Sequence, residues 1–218
     1  MEEICIIIPA HNEEASLAKV IDKVRDSKIK SHIIVVDNCS DDKTSEIAIS
    51  KGVELIHCDT PGKGYAMEAG IKAAKADIIL FVDGDLGIYT EDVVELMVSP
   101  IINEGYDFVK SAFSREGGRV TELVAKPLLE LLFADVAAYE QPLSGVIAGK
   151  TEFFNKITLE IDYGVDIGIL LDMIKMNANI KEQFIGKIDN NSQSWKSLPK
   201  MSKEVARAII SRSNQVVK

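Results

Sequence analysis

Short apolar runs alternate with amphipathic segments along the first half of the chain. Four runs rich in Ile and Val predict β-strands that begin roughly 20 to 30 residues apart, at Ile4–Ile8, Ile33–Asp37, Val53–His57 and Ile78–Val82. Segments with the apolar spacing of helices lie between them, at Glu13–Asp26, Thr44–Ser50 and Tyr65–Lys75. This alternation predicts βαβ units, and therefore an α/β protein with a Rossmann-like, mainly parallel sheet flanked by helices. The amphipathic segment Met201–Ile210 predicts a C-terminal helix.

Polar residues follow each of the four predicted strands. Ligands of parallel α/β sheets bind beyond the carboxyl ends of the strands, so these residues are candidates for a binding site. They provide amides and carboxylates for a base and a ribose, a lysine for phosphate and two acids for a metal. Such groups are able to bind a nucleotide sugar. Neither a dinucleotide-binding glycine motif nor a P-loop is present, so the sequence does not support a dinucleotide or P-loop site. The four segments are 9–14, 37–42, 60–64 and 83–85.

Asp83 and Asp85 leave the apolar run that ends at Val82. Two carboxylates one residue apart suit a divalent cation that also holds a phosphate, since Mg²⁺ commonly binds one or two carboxylates together with substrate phosphates. Ordinary turn chemistry is the alternative interpretation of Asp-Gly-Asp.

The other polar elements also have alternative interpretations. In these alternatives Asn12 only caps the first helix, and Asp41 or Asp42 only caps the second. Lys63 as a solvated surface residue is another.

Composition narrows the class of partner. The chain has 218 residues and a net charge of −9, which argues against a nucleic-acid or anionic membrane surface as partner. No apolar stretch reaches the roughly 18 to 20 residues of a membrane span, and the start Met1-Glu-Glu is not that of a signal peptide. The scattered cysteines Cys5, Cys39 and Cys58 predict free thiols in a reducing cytoplasm.

Four ordered segments carry a resemblance to a known family. Ile6–Glu14, Val35–Asp42, Gly62–Gly64 and Val82–Asp85 resemble the nucleotide-sugar half of glycosyltransferases with the GT-A fold, over roughly residues 4–86. The resemblance implies a single GT-A domain over 1–218, with a nucleotide-sugar-binding half at about 1–86 and an acceptor-binding half at about 87–218 that ends in the C-terminal helix.

The same resemblance implies roles for particular residues of the first half. The nucleoside would be lined by Pro9, Ala10, Asn12 and Glu13. Asp37 would hydrogen-bond the base, and Lys63 would lie near the base or the diphosphate. Ribose, diphosphate and a Mg²⁺ or Mn²⁺ ion would be flanked by Asp83, Gly84 and Asp85.

The second half resembles the glucosyl-3-phosphoglycerate synthases, through Gly117–Pro127, Gln141–Gly145, Ala148–Lys150 and Tyr163–Gly168. This resemblance implies retaining transfer of glucose from UDP-glucose to the 2-hydroxyl of 3-phosphoglycerate. The phosphoglycerate would be held by Gly118, Arg119, Val120 and Thr121, and the sugar would be bordered by Leu143 and Ser144. Asp166 would face the donor sugar's hydroxyls or the acceptor, so that the catalytic set is Asp85, Asp166 and Arg119.

The residue types near Arg119 are by themselves suited to binding an anion. The glycines before it free the backbone, the guanidinium offers a planar fork for phosphate or carboxylate, and Thr121 is a candidate helix cap. A helix amino terminus with an adjacent arginine attracts anions. The alternatives are an N-capped helix with a surface arginine and, for Asp166, an acid that only stabilises the first turn of its helix.

The chain departs from the family pattern in two places, and two alternative functions remain. Asn190, or its neighbour Asp189, stands where relatives have a metal-binding histidine, and the chain is shorter than most relatives. A GT-A transferase with GDP-mannose or GDP-glucose as donor, or polyprenyl phosphate as acceptor, is one alternative. A non-catalytic nucleotide-sugar-binding protein is the other, and a homodimer is left open.

Overall fold

The computed structural model of the protein describes residues 2–85, 87, 92–114, 118–188, 195 and 197–213. Within these residues the strands form one seven-stranded sheet. The strands are β1 (Ile4–Ala10), β2 (His32–Asp37), β3 (Glu54–His57), β4 (Ile78–Phe81), β5 (Phe108–Ser114), β6 (Ile147–Lys150) and β7 (Ile180–Lys187). Their order across the sheet is β3-β2-β1-β4-β6-β5-β7, and β6 runs antiparallel to both of its neighbours while the other pairs are parallel.

Helices cover both faces of this sheet. They are α1 (Leu17–Arg25), α2 (Thr44–Ser50), α3 (Lys63–Ala73), α4 (Val93–Glu104), α5 (Lys126–Leu132), α6 (Thr151–Phe154), α7 (Val165–Lys175) and α8 (Leu198–Arg212) among the described residues. A five-residue π-helix, Thr121–Ala125, runs directly into α5.

The predicted mainly parallel α/β sheet is confirmed, and the predicted helix Thr44–Ser50 is observed with the same bounds. The first helix begins four residues later than predicted, at Leu17, because the carbonyl of Glu13 accepts bonds from the backbone N–H groups of Ser16 and Leu17 in a preceding turn. The third helix was predicted two residues too late, since α3 begins directly after Gly62.

The remaining predicted bounds differ by a few residues. The C-terminal helix is longer than predicted at both ends. Strand β1 continues to Ala10 and β2 begins at His32, whereas β3 and β4 are each one residue shorter than predicted.

Both faces of the sheet are buried. Ile6 and Ile8 of β1 pack against Leu17 of α1 on one face, while Ile7 packs with Met67 of α3 on the other. Burial on both sides explains why the central strands are continuous apolar runs rather than alternating patterns.

The antiparallel strand β6 determines which loops meet. Phe81 at the end of β4 pairs with Ile147 at the start of β6, and Lys110 of β5 pairs with the same residue. The segment before β6 therefore lies at the edge where β1, β2 and β4 end. No described helix is long and apolar enough to cross a membrane.

Candidate active site

The loop after β1 is tied to the loop after β2. Asn12 has a positive φ of 58°, its backbone N–H donates to the hydroxyl of Ser40 at 2.9 Å, and its side-chain oxygen accepts from the N–H of Asp41 at 2.8 Å. The Nδ1 of His11 donates to the carbonyl of Asn38 at 2.7 Å. Asn12 is therefore a link between two loops and does not cap the first helix.

Asp37 and Asn38, both buried, organise the end of β2. The Asp37 carboxylate accepts from the N–H of Ser40 at 3.1 Å and from the hydroxyl of Ser45. The Asn38 amide donates to the carbonyl of Thr60 at 2.7 Å and accepts from the N–H of Gly62 at 2.7 Å. Asn38, which the sequence reasoning did not select, thus fixes the loop that carries Lys63.

The glycines around Lys63 are required by close packing. A Cβ on Gly64 would overlap the carbonyl of Glu160, and the Gly64 N–H donates to the carbonyl of Ile161 at 3.2 Å. Gly62 has a φ of 144°, which side chains rarely adopt. The loop therefore lies against the backbone just before α7, and Lys63 begins α3 next to that segment.

The ammonium of Lys63 joins two acidic side chains. It lies 2.9 Å from Oδ1 of Asp83, which follows β4, and 2.8 Å from Oδ2 of Asp166 in the first turn of α7. Only 19% of the Lys63 side chain and 7% of the Asp166 side chain are exposed. A Cβ on Gly145 would overlap both carboxylate oxygens of Asp83 and lie 2.6 Å from the Lys63 ammonium, so the three-residue ion pair needs glycine there.

One positive side chain, Lys63, faces two acidic side chains, Asp83 and Asp166. Burial disfavours the charged form of Lys63, but the carboxylates of Asp166 and Asp83 outweigh it and raise the pKa of Lys63, so the ammonium stays charged. Burial raises the pKa of Asp166, against the opposing effect of Lys63. Oδ1 of Asp166 is buried without a hydrogen-bond partner, which marks a place where a donor group would be stabilised.

Negative charge also accumulates beside the exposed Asp85. Burial raises the pKa of the Glu13 carboxyl, and the nearby charges of Asp85 and Asp83 raise it further. Hard carboxylate oxygens of this kind fit Mg²⁺ or Mn²⁺. Among the described residues no cluster of three His, Cys, Asp or Glu side chains is arranged for a metal. A cation at this place therefore needs ligands in addition to Asp83 and Asp85. Asn190 and Asp189, the predicted further ligands, lie outside the described residues.

The other nucleotide-side candidates lie at the same edge. Pro9 is half-buried and Ala10 is buried at the end of β1. Gly84 is buried against this loop, since its Cβ would lie 3.3 Å from the carbonyl of Pro9 and 3.2 Å from the Glu13 side chain.

A different segment holds the residues predicted to bind the acceptor. Gly118 has a φ of 87°, and helical backbone begins at Arg119, so Thr121 lies inside the helix and not at its N-cap position. The prediction that Thr121 caps this helix is therefore wrong. Val120 and Thr121 are buried, while the Arg119 guanidinium carbon lies 4.5 Å from the centre of the Trp195 ring.

Ser144 is turned into the protein. Its hydroxyl lies 2.6 Å from that of Ser111 and accepts from the N–H of Val146 at 3.2 Å, while Leu143 beside it is half-buried. The Ser144 carbonyl accepts from the fully buried ammonium of Lys110 at 2.7 Å. Sequence reasoning missed Lys110, although a lysine in the middle of an apolar strand is itself a signal.

Known protein families and enzymes resemble this chain in sequence. The model of the family described as Glycosyl transferase family 2 matches residues 5–155. The glucosyl-3-phosphoglycerate synthase of Mycobacterium tuberculosis is 32% identical over 96% of this chain and 73% of its own length. The synthase of Petrotoga mobilis is 28% identical over 96% of this chain and 73% of its own length.

Solved structures agree with the sequence comparison. A crystal structure of the Mycobacterium tuberculosis synthase in complex with Mn²⁺, UDP-glucose and phosphoglyceric acid matches with a TM-score of 0.89 at 33% identity, covering 97% of this chain and 79% of that one. Its complex with Mn²⁺, UDP and glucosyl-3-phosphoglycerate matches with a TM-score of 0.90 at 33% identity, covering 99% and 81%. The predicted GT-A fold is confirmed. The chain belongs to glycosyl transferase family 2, and it is a glycosyltransferase.

Proposed function

We propose that this glycosyltransferase moves glucose from UDP-glucose to the 2-hydroxyl of 3-phosphoglycerate with retention of anomeric configuration. The observation that carries the proposal is the Lys63 ammonium, which contacts Asp83 of the nucleotide-sugar half and Asp166 of the acceptor half. In this proposal the ion pair lies where the sugar end of the donor binds. Relatives of 32% identity carry the corresponding name, and one was crystallised with UDP-glucose and phosphoglyceric acid.

The donor would lie along the loops after β1, β2 and β4. In this proposal the nucleoside contacts Pro9, Ala10, Asn12 and Glu13, and Asp37 supports the base. The bonds between these loops favour this role because they fix the loops before a ligand arrives. A preorganised site binds with less loss of conformational freedom.

Asp85 and Asp83 would hold a Mg²⁺ or Mn²⁺ ion together with oxygens of the diphosphate. When bound, such an ion neutralises the charge of the diphosphate and orients it. The carboxylate pair favours a cation at this place, since hard carboxylate oxygens are ligands that Mg²⁺ and Mn²⁺ accept. A relative was crystallised with Mg²⁺ and UDP.

Lys63 and Asp166 would act on the sugar end of the donor. Lys63 remains charged and adds a fixed positive charge beside the departing diphosphate. The buried Oδ1 of Asp166 would accept a hydrogen bond from a hydroxyl of the sugar, which satisfies an oxygen that otherwise lacks a partner. Asp166 is then an orienting group rather than a base, and Leu143 and Ser144 border the sugar.

The acceptor would bind at Gly118, Arg119, Val120 and Thr121. The Arg119 guanidinium is a bidentate donor suited to a phosphate, and it stacks on Trp195. The free thiols Cys5, Cys39 and Cys58 favour the cytoplasm as the location of this reaction.

The direct test uses the purified protein with UDP-glucose, Mn²⁺ and 3-phosphoglycerate. We expect release of UDP and a product with the α-configuration of the donor at its anomeric carbon, read from the anomeric proton by NMR. Parallel reactions with GDP-glucose, GDP-mannose and a polyprenyl phosphate test the alternative donors and acceptor.

The outcomes separate the proposals. Transfer to polyprenyl phosphate, or transfer only from a GDP-sugar, would replace the proposed substrates but keep the enzyme class. Binding of nucleotide sugars without turnover of any of these donors and acceptors would favour a non-catalytic binding protein instead.

A further inference from the structure

Lys110 lies in the interior of the sheet. It belongs to β5, between the neighbouring strands β6 and β7, and it is 0% exposed. Val109 before it and Ala112 two residues after it are buried apolar residues. Lysine is rarely buried completely unless specific partners hold its charge.

The partners of this ammonium are two segments of the candidate site. Lys110 Nζ donates to the carbonyl of Ser144 at 2.7 Å and to the backbone carbonyl of Asp166 at 3.4 Å. The hydroxyl of the next residue, Ser111, bonds that of Ser144 at 2.6 Å. Strand β5 therefore fastens the segment before β6 and connects it to the first turn of α7.

Charged groups surround Lys110 from four other elements. Asp166 of α7, Asp83 after β4 and Glu182 of β7 favour the ammonium, whereas Lys63 of α3 opposes it. Burial is the strongest influence and lowers the pKa of Lys110 to about 8. The fold thus holds a cation where burial disfavours charge, and the two carbonyls and the nearby carboxylates offset that cost.

We propose that Lys110 is a positioning residue that holds the Ser144 loop and the first turn of α7 together, so that the Asp166 carboxylate meets the donor sugar. The inference rests on the proposed function and deepens it. Lys110 is buried behind Ser144 and acts on substrate only through Asp166 and the loop. Its ammonium reaches the backbone of Asp166 while Lys63 holds the side chain, so the two lysines fix Asp166 from two directions.

Small displacements of Asp166 matter because its Oδ1 is buried and can be satisfied only by a correctly placed donor. Misplacement of a group near the reacting atoms by about 1 Å can reduce turnover on the order of 100-fold. Loss of the Lys110 ammonium would release both carbonyls, and therefore affect turnover more than nucleotide binding.

The test compares Lys110→Met with Lys181→Met, a control on the adjacent strand whose ion pair with Glu104 lies away from the site. For Lys110→Met we expect kcat to fall on the order of 100-fold, while UDP affinity in the presence of Mn²⁺, measured by calorimetry, changes by less than about twofold. Hydrogen exchange should increase in residues 141–145 and 164–168 of Lys110→Met and remain unchanged in Lys181→Met.

A second variant separates positioning from folding. Lys110→Gln keeps a donor for the Ser144 carbonyl without a charge, so it should recover part of kcat if Lys110→Met does not fold. The wild-type kcat should decline as pH rises through about 8, because the deprotonated amine is a weaker donor, and this decline should be absent in Lys110→Gln.

Three results would overturn the inference. The first is a folded Lys110→Met with kcat within threefold of the wild type, and the second is an equal loss of kcat and UDP affinity. The third is unchanged exchange in both segments. If the wild type uses another donor or acceptor, the proposed function fails, while the exchange measurement and the kcat comparison with the true substrates still decide the role of Lys110.

Discussion

The ammonium of Lys63 lies 2.8 Å from a carboxylate oxygen of Asp166, a residue 103 positions further along the chain. This ion pair connects the first turn of α3 with the first turn of α7. Because Asp83 also pairs with this ammonium, a change in any of the three side chains affects both halves of the candidate site.

Gly145→Ala tests whether this three-residue ion pair is required for turnover. The added Cβ would overlap the Asp83 carboxylate and approach the Lys63 ammonium, both of which are ends of side chains and not backbone. We expect the fold to survive with a loss of unfolding free energy of about 1–3 kcal/mol, because a largely buried ion pair is displaced. Turnover should fall on the order of 100-fold because the charges are displaced.

The control for this variant is Gly168→Ala, in α7 near Asp166. Its Cβ would lie 3.1 Å from the Arg212 guanidinium, which belongs to a separate group of ion pairs with Glu160 and Asp172. Thermal unfolding and steady-state kinetics of both variants give the comparison. Similar kcat values for Gly145→Ala and the wild type would mean that the ion pair is only structural.

Asp85→Asn tests the proposed metal site. The side chain is exposed at the end of the β4 segment, so the substitution should leave the fold unchanged. An amide oxygen replaces a charged ligand, and we expect loss of Mn²⁺-dependent UDP binding, measured by calorimetry with and without the metal. Asp26→Asn, an exposed acid at the end of α1, is the control. Metal-dependent binding that survives in Asp85→Asn would place the cation elsewhere.

The first half of the fold could be predicted because local signals and packing agree. Buried strands such as β4 are continuous apolar runs, and the residues that follow them reach one edge by topology alone. The position of Asp83 at a sheet edge therefore followed from the sequence.

Contacts between distant segments could not be predicted in this way. The bond from Lys110 to the Ser144 carbonyl depends on β6 running antiparallel between β4 and β5, and no local pattern indicates that order. The requirement for glycine at 145 arises from the Lys63 and Asp83 side chains that converge there. Helical backbone already begins at Arg119, so Thr121 lies inside the helix and was wrongly predicted to be its cap.

Arg119→Ala tests the acceptor site. A charge-assisted bond to phosphate contributes roughly 1.5–3 kcal/mol, so the KM for 3-phosphoglycerate should rise about ten- to a hundredfold while UDP-glucose affinity stays nearly constant. Arg119→Lys should recover only part, since the bidentate fork is lost. Trp195→Ala removes the stacking partner, and we expect a KM two- to fivefold higher, for a contribution of about 0.5–1 kcal/mol. Equal weakening of donor and acceptor by Arg119→Ala would instead assign the arginine to the diphosphate.

The buried Lys110 predicts a pH-dependent difference in stability between wild type and Lys110→Met. The pKa of Lys110 is lowered from 10.5 to about 8 in the folded protein. Between these two values the unfolded chain binds a proton that the folded protein does not, so the contribution of this group to the unfolding free energy rises with pH. Below pH 8 both states are protonated and the cost of the buried charge is fully present. Above 10.5 the amine is neutral in both states and the cost is gone.

Replacement by methionine removes that cost at every pH. Relative to the wild type, Lys110→Met should therefore be more stable at pH 7 than at pH 9.5 by about 2 kcal/mol, on top of a constant term for the lost hydrogen bonds. Denaturant unfolding of both proteins at the two pH values measures this change. Because the difference between the proteins is compared, the titration of groups other than Lys110 cancels to a first approximation. A difference that does not depend on pH would mean that Lys110 keeps its proton throughout, and the charge at the centre of the sheet would then be held more strongly than its burial indicates.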